Sequence, residues 1–156
     1  KILSREDLVH RVAWWRMQDQ QVVLTNGCFD LLHVGHVHLL REAAQQGDVL
    51  IVAINSDDSV RRLKGGNRPL IAADERAALL AALNSVDAVV VFDEDTPREL
   101  LEEVRPDILV KGGDYREDQV VGRRMIADWG GSVVLIPLVP DRSTSGLVER
   151  IRSMDS

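Results

Sequence analysis

One cysteine, Cys28, stands in 156 residues. A single thiol excludes an internal disulfide and a cysteine-rich zinc site, and it fits a reducing compartment, so a cytoplasmic location is expected. No apolar run approaches the roughly 18 residues that a membrane-spanning helix requires, and no membrane partner is expected. Positive charge is in deficit: 19 Lys and Arg against 25 Asp and Glu leave a formal charge of −6. That balance excludes a surface built mainly to hold nucleic acid, while a local cationic cleft that binds phosphate stays open. The N-terminal stretch KILSREDLVHRVAWWRMQ is charged throughout and lacks the continuous apolar segment of a secretory signal. Lys1 in place of Met fits both a shortened chain and the last part of a longer polypeptide.

Several motifs are missing as well. There is no G-x-x-x-x-G-K-[ST], which argues against P-loop phosphoryl transfer. No G-x-G-x-x-G follows the first apolar run, which argues against a dinucleotide site of the usual kind. Neither Gly130-Gly-Ser nor Ser143-Thr-Ser forms the G-x-S-x-G elbow of a hydrolase serine. Cys28 has no evident activating group and reads as a small packed residue.

What is present is a globular balance, 45% apolar and 28% charged, in a length suited to one domain. A single domain over 1–156 is expected, with residues 1–20 as an N-terminal helical extension. After Ser4, a candidate N-cap followed by acidic residues, Leu8, Val9, Val12, Trp15 and Met17 suggest an amphipathic helix packed on the outside of the core. Five short apolar runs follow: VVLTN (22–26), DVLIVAIN (48–55), DAVVVF (87–92), DILVKG (107–112) and SVVLIPL (132–138). They are β-branched and scarcely alternate, as strands buried on both faces do. Helix-like segments lie between them: HVHLLREAAQQ, ADERAALLAALNS, TPRELLEEVR and QVVGRRMIADWGG, with a final helix after RSTSG. Alternating strands and helices predict a doubly wound α/β fold with a five-stranded parallel sheet and helices on both faces.

In such sheets ligands bind beyond the carboxyl ends of the strands, where strand order reverses. The segments that occupy those positions are NGCFDLLHVGH, NSDDSVRRLKGGNRP, KGGDY and PDRSTSG. Glycines, cations and hydroxyls gather there, the chemistry of a polyphosphate site. Gly35 between His33 and His36 is expected to let the chain pass close to a ligand while both imidazoles face one point near a helix start. His10 and His38 read as ordinary surface or core residues. Metal binding by the H-x-x-H spacing is poorly supported, with no further His or Cys in the loop, and no protein metal site is expected.

From Val22 to Ile151 the chain resembles the cytidylyltransferase-like nucleotidyltransferases, and within them the heptose 1-phosphate adenylyltransferase branch. The stretches that carry the resemblance are TNGCFDLLHVGH, VAINSDDSVRRLKGGNRPL, FDEDTPRELLEEVRPDILVKGGDY and DRSTS. The resemblance implies a Rossmann-like sheet and the reaction of ATP with heptose 1-phosphate to give ADP-heptose and pyrophosphate, with Mg²⁺ carried on the ATP. It implies His33, His36 and Lys64 as catalytic residues. For the nucleotide it implies Asn26, Gly27, Cys28, Phe29, Gly35, Lys111, Gly112, Gly113, Asp114, Arg142, Ser143, Thr144 and Ser145. Asp30, Asn55, Asp57 and Arg68 are assigned to the acceptor and Arg76 to a supporting role, while Arg61 and Arg62 read as solvated charges. A homo-oligomer is expected, with Trp14 and Trp15 as a candidate contact, as is fusion to, or work beside, a heptose kinase. Rival readings are a glycerol-3-phosphate cytidylyltransferase-like enzyme using CTP, and a catalytically silent nucleotide-binding module on the same fold. An aminoacyl-tRNA synthetase fragment is disfavoured, because RSTSG stands where a KMSKS-like loop would be.

Overall fold

The computed structural model describes residues 1–155. Val22–Gly27 (β1), Val49–Asn55 (β2), Ala88–Phe92 (β3), Ile108–Gly112 (β4) and Ser132–Ile136 (β5) form one sheet in the order β3-β2-β1-β4-β5. All four strand pairs are parallel. Strand order reverses between β1 and β4, which makes the crevice above those two strands the position for a ligand. The doubly wound α/β expectation therefore holds.

The unbroken apolar runs are explained by what covers each face. Along β2, Val49, Ile51 and Ala53 enter one cluster while Leu50, Val52 and Ile54 enter another. Successive side chains point to opposite faces, so both sets must be apolar. The first face is covered by Arg5–Met17 (α1), Arg98–Val104 (α5) and Arg123–Asp128 (α6), which contribute Leu8, Val12, Trp15, Leu100, Leu101, Val104 and Ile126. Val34–Ala44 (α2) and Ala73–Ala81 (α4) cover the second with Leu40, Ala43, Ala77 and Leu80. Asp57–Lys64 (α3) follows β2, and Thr144–Met154 (α7) follows β5.

Some expectations are refined. Helix α1 packs on one face of the sheet, its Leu8, Val12 and Trp15 belonging to a central core cluster, and residues before it pair with the sheet edge, Leu3 N donating to the Val89 carbonyl at 2.9 Å. Met17 is 78% exposed and outside that packing, and the tryptophan pair divides, with Trp15 buried and Trp14 55% exposed. The segment after β2 contains helix α3, which is not among the helix-like segments expected; the Ser56 side chain caps it, Asp57 and Asp58 sit in its first turn and Arg61, Arg62 and Lys64 in its last, the arrangement the helix dipole favours. Finally, α6 is shorter than expected because Gly122 at φ 89° starts it afresh, and β5 stops at Ile136 because Pro137 has no amide hydrogen to give.

Trp15→Ala is expected to cost about 3–5 kcal/mol, as for a large core aromatic. Trp14→Ala, one position away on the exposed side, should stay within about 0.5 kcal/mol. Urea unfolding of the two variants measures the contrast.

Candidate nucleotide site

A cavity of about 760 Å³ opens beyond the carboxyl ends of the strands. The starts of two helices border it: His33, Gly35 and His36 at α2, and Arg142, Ser143, Thr144 and Ser145 at α7. Unpaired backbone N–H groups and partial positive charge at such termini favour anions.

The H-x-G-H element is itself a helix cap. His33 Nδ1 accepts from the Gly35 amide at 3.1 Å, and His36 Nδ1 accepts from the His33 amide at 3.3 Å. Two imidazoles thus take the parts that Ser and Glu play in the usual capping box. With each Nδ1 engaged as an acceptor, the neutral rings carry their proton on Nε2 and have it available to a ligand. The rings stack with centroids 3.8 Å apart at 28°, and Phe29 supports His36 from 5.1 Å. Gly35 owes its place to this stack: a Cβ there would come within 2.8 Å of His33 Cε1. The glycine therefore makes room for the imidazole, and it also lines the cavity. Gly27 likewise clears the Phe29 ring, and Gly112 clears Leu39 of α2, at 3.0 and 3.1 Å from a hypothetical Cβ.

Both histidines are held neutral. Burial, and next to it the charge of His33, lowers the His36 pKa to about 4. Burial and Arg142 lower that of His33. Lys111 is also pushed down, first by burial and then by Lys64, with Cys28 opposing. Burial raises the Cys28 thiol despite Lys64, Arg76 and Lys111 nearby, so the group is a thiol at neutral pH and no ready nucleophile. Its Sγ instead lies 3.8 Å from Asn55 Oδ1.

Beneath the cavity Arg76 is fully buried. Its guanidinium donates to the carbonyls of Ile71, Cys28 and Asn55 at 2.8, 2.7 and 2.8 Å, and to Asp57 Oδ1 at 2.8 Å. One side chain thus fastens the β1 loop, the end of β2, the start of α3 and the chain before α4. Asp30, 5% exposed, accepts from the amides of Leu70 and Ile71 and from Arg68 Nη1 at 3.1 Å. These bonds anchor one end of the stretch that leads from Lys64. At Gly65 and Gly66 a Cβ would meet nothing within 4 Å, so the backbone beside Lys64 is uncrowded.

The cavity brings together His33, His36, Lys64, Lys111 and Arg142 with Asn26, Gly27, Cys28, Phe29, Asp30, Gly35, Asn55, Arg68, Gly112 and residues 143–145. Ser143 caps α7 through the Gly146 amide at 3.0 Å, and Thr144 Oγ1 donates to the Leu31 carbonyl at 3.1 Å. Four expected residues lie outside the lining. Asp57 is turned to Arg76, and Arg76 is beneath the floor. Gly113, at φ 130°, is covered by the Tyr115 ring, and Asp114 is exposed. Asn55 and Asp30 are at the wall with their polar atoms engaged internally, Asn55 Nδ2 donating to Ser59 Oγ at 3.0 Å. Tyr115, the last residue of KGGDY, also lines the cavity, and sequence reasoning missed the apolar stretch Pro137 to Val139 and the pair Asp95 and Thr96. Position after β5 and β3 was the available signal for these two groups. Arg62 is an exposed ion pair with Asp95 at 2.8 Å, in line with a surface charge. Among the described residues no group of three or more His, Cys, Asp or Glu is placed to hold a metal ion.

The comparisons agree with this architecture. A model of the cytidylyltransferase-like family matches residues 24–148. The Bifunctional protein HldE of Koribacter versatilis (strain Ellin345) is 55% identical over 150 residues, 96% of this chain and 31% of that protein. The Bifunctional protein HldE of Syntrophotalea carbinolica is 56% identical over 151 residues, 97% of this chain and 31% of that protein. The chain thus spans under a third of the length of these curated relatives. A crystal structure of the lipopolysaccharide core biosynthesis protein from Thermoplasma volcanium GSS1 superposes with a TM-score of 0.63 at 32% identity, covering 77% of this chain and 97% of that one.

Two outcomes follow from the buried groups. His36, neutral in the fold down to about pH 4 but with an ordinary pKa of about 6.5 when unfolded, binds its proton first in the unfolded chain. Stability should therefore fall as pH is lowered from about 6.5 towards 4, and the His36 ring resonances should titrate near the lower value. Arg76→Met should cost about 3–5 kcal/mol, the loss seen when one partner of a buried pair is removed, as read from the urea midpoint.

Proposed function

The chain belongs to the cytidylyltransferase-like family, and on that premise we propose that it transfers AMP from ATP to D-glycero-β-D-manno-heptose 1-phosphate, giving ADP-heptose and pyrophosphate. The observation that carries the reading is the pair of stacked, neutral imidazoles at the start of α2, facing a cavity that the start of α7, Lys64 and Lys111 also border. The heptose acceptor rests on RLKGGNRP and PDILVKGGDY, stretches in which the chain resembles the heptose branch, and on the similarity to the HldE proteins. By its resemblance to the heptose branch, the domain works fused to, or beside, a heptose kinase.

A sugar 1-phosphate needs no protein base, since its second pKa is about 6 and an anionic oxygen is already available at neutral pH. That oxygen bonds to the α-phosphorus as the bond from the α-phosphorus to the bridging β-phosphate oxygen breaks. The electron pair leaves with pyrophosphate. The protein must align the two reactants and meet the charge that develops on the phosphoryl oxygens. In this reading the Nε2–H groups of His33 and His36 donate to the triphosphate around the α-phosphate. Their neutrality is useful here, because a neutral ring holds a fixed donor without requiring a proton from solvent. Arg142 and the amides at residues 143–145 receive the outer phosphates, and Lys64 and Lys111 flank the chain. Arg76 braces the segments around the site from beneath, and Asp30 holds the stretch after Lys64 from the cavity wall. A divalent ion carried on the triphosphate would offset phosphate charge, and no side chain of this chain is assigned to hold it. The apolar wall from Pro137 to Val139 suits the nucleotide base.

The test is pyrophosphate release with ATP or CTP as donor and heptose 1-phosphate or glycerol 3-phosphate as acceptor. Release with ATP and the heptose phosphate is expected, and His36→Ala should reduce kcat by about 10²–10³, the loss typical of one preorganised donor. Release confined to CTP and glycerol 3-phosphate would replace the proposed substrates, and silence in all four pairings from folded protein would favour a binding module.

A further inference from the structure

Of the stretches that resemble the heptose branch, Phe92-Asp-Glu-Asp-Thr-Pro has no part in the reaction as described above. The structure puts it on the cavity wall, where Asp95, Thr96 and Pro97 face the same space as His33, His36 and Lys64. The turn follows β3 and lies on the β2–β3 side of the sheet, away from β4 and β5. Helix α3 fixes it in place. Arg62 Nε donates to Asp95 Oδ1 at 2.8 Å and Arg62 Nη2 to the Asp93 carbonyl. Ser59 Oγ donates to the Glu94 carbonyl at 3.0 Å, and Ser56 Oγ to the Asp93 carboxylate.

Two carboxylates line the cavity, Asp30 and Asp95. Asp30 is buried and spends its oxygens on Arg68 and on the amides of Leu70 and Ile71. Asp95 has a side chain 61% exposed and a single ion-pair partner at Oδ1. Among the described residues no hydrogen bond reaches its Oδ2. An open carboxylate repels phosphate and accepts from hydroxyls, so it has no use for the triphosphate. A phosphorylated sugar, by contrast, carries an anionic end for the cations and a ring of hydroxyl donors for an acceptor group. The sheet order sets Asp95 and Thr96, which follow β3, at one side of the cavity and the residues that follow β4 and β5 at the other.

We infer that Asp95, with Thr96 beside it, binds ring hydroxyls of the acceptor and sets the preference for a sugar phosphate over a smaller phosphate ester. This rests on the adenylyltransferase reading above. The experiment is steady-state kinetics of the whole chain with ATP and each of heptose 1-phosphate and glycerol 3-phosphate, for wild type, Asp95→Ala, Thr96→Val and Arg62→Gln. Asp95→Ala should raise KM for heptose 1-phosphate about 10- to 100-fold, the range for a lost hydrogen bond to a charged group. KM for ATP should stay within about twofold of wild type, and the preference for heptose 1-phosphate over glycerol 3-phosphate should shrink by a factor similar to the rise in acceptor KM. Thr96→Val should shift the same constants less. Because Asp95 and Thr96 are exposed, the variants should keep the wild-type melting temperature. Arg62→Gln separates contact from scaffolding: it frees the turn from α3 while keeping the carboxylate, and its effect on acceptor KM should be the smaller one. An active wild type with an unchanged acceptor KM in Asp95→Ala, or Arg62→Gln reproducing the full effect, overturns the inference. A wild type that releases no pyrophosphate from heptose 1-phosphate instead overturns the adenylyltransferase reading, and this inference falls with it.

Discussion

The buried guanidinium of Arg76 is the constraint on which the cavity depends. Each of the segments it joins leaves the sheet independently: the loop after β1, the end of β2, the first turn of α3 and the chain ahead of α4. Carbonyls at strand ends have no ladder partner beyond the sheet and would need water or a donor. One planar group with five N–H donors satisfies several of them at fixed angles. Asp57 balances the charge from the rim, where it is 35% exposed, so the pair avoids the full desolvation cost of two interior ions. The result is a rigid floor for a cavity whose upper parts come from loops.

On that floor the charged groups come from several elements. Helix starts, histidines, Lys111 and Arg142 come from α2, β4 and α7, and Lys64 and Arg68 from the end of α3 and the chain after it. The cavity's open carboxylate, Asp95, stands on the β3 side. The histidines add directional donors without adding net charge, because burial and the neighbouring charges keep them unprotonated. Their Nδ1 atoms are spent on the cap of α2, which means that the same hydrogen bonds that start the helix also orient the groups that face the ligand. Structure and site chemistry cannot be separated at these two residues. The same economy recurs at α7, where Ser143 caps the helix that Arg142 leads into.

Much of this was legible in the sequence. Five unalternated, β-branched runs gave five parallel strands with edges correct to within one or two residues, because a strand buried on both faces leaves a pattern that needs no partner to recognise. The H-x-G-H element, the lysine loop and the serine-rich start of the last helix lay after strands, where an open α/β sheet presents its ligand groups. Helix α3 was missed although its cap and its charge gradient were present, because a charged eight-residue segment has no long apolar stripe. The burial of Trp15 and the exposure of Trp14 and Met17 depended on which side of α1 met the sheet, and five apolar positions in one helix did not define it.

The sequence by itself determined the sheet, its strand sequence in the chain and the family, since these follow from local periodicity and from short motifs. The tertiary structure alone decided what each polar group is free to do. Asp30, Asn55, Asp57 and Asp95 all lie at or after strand ends, yet only the folded contacts reveal that the first three bond to internal partners while Asp95 lines the cavity with one ion pair, at Oδ1. Gly35 shows the same limit: a glycine beside two histidines is evident in the sequence, but that its missing Cβ makes room for His33 is a matter of ångströms between side chains. Hydrogen-bond capacity is a property of residue type, whereas its expenditure is a property of neighbours brought together by the fold.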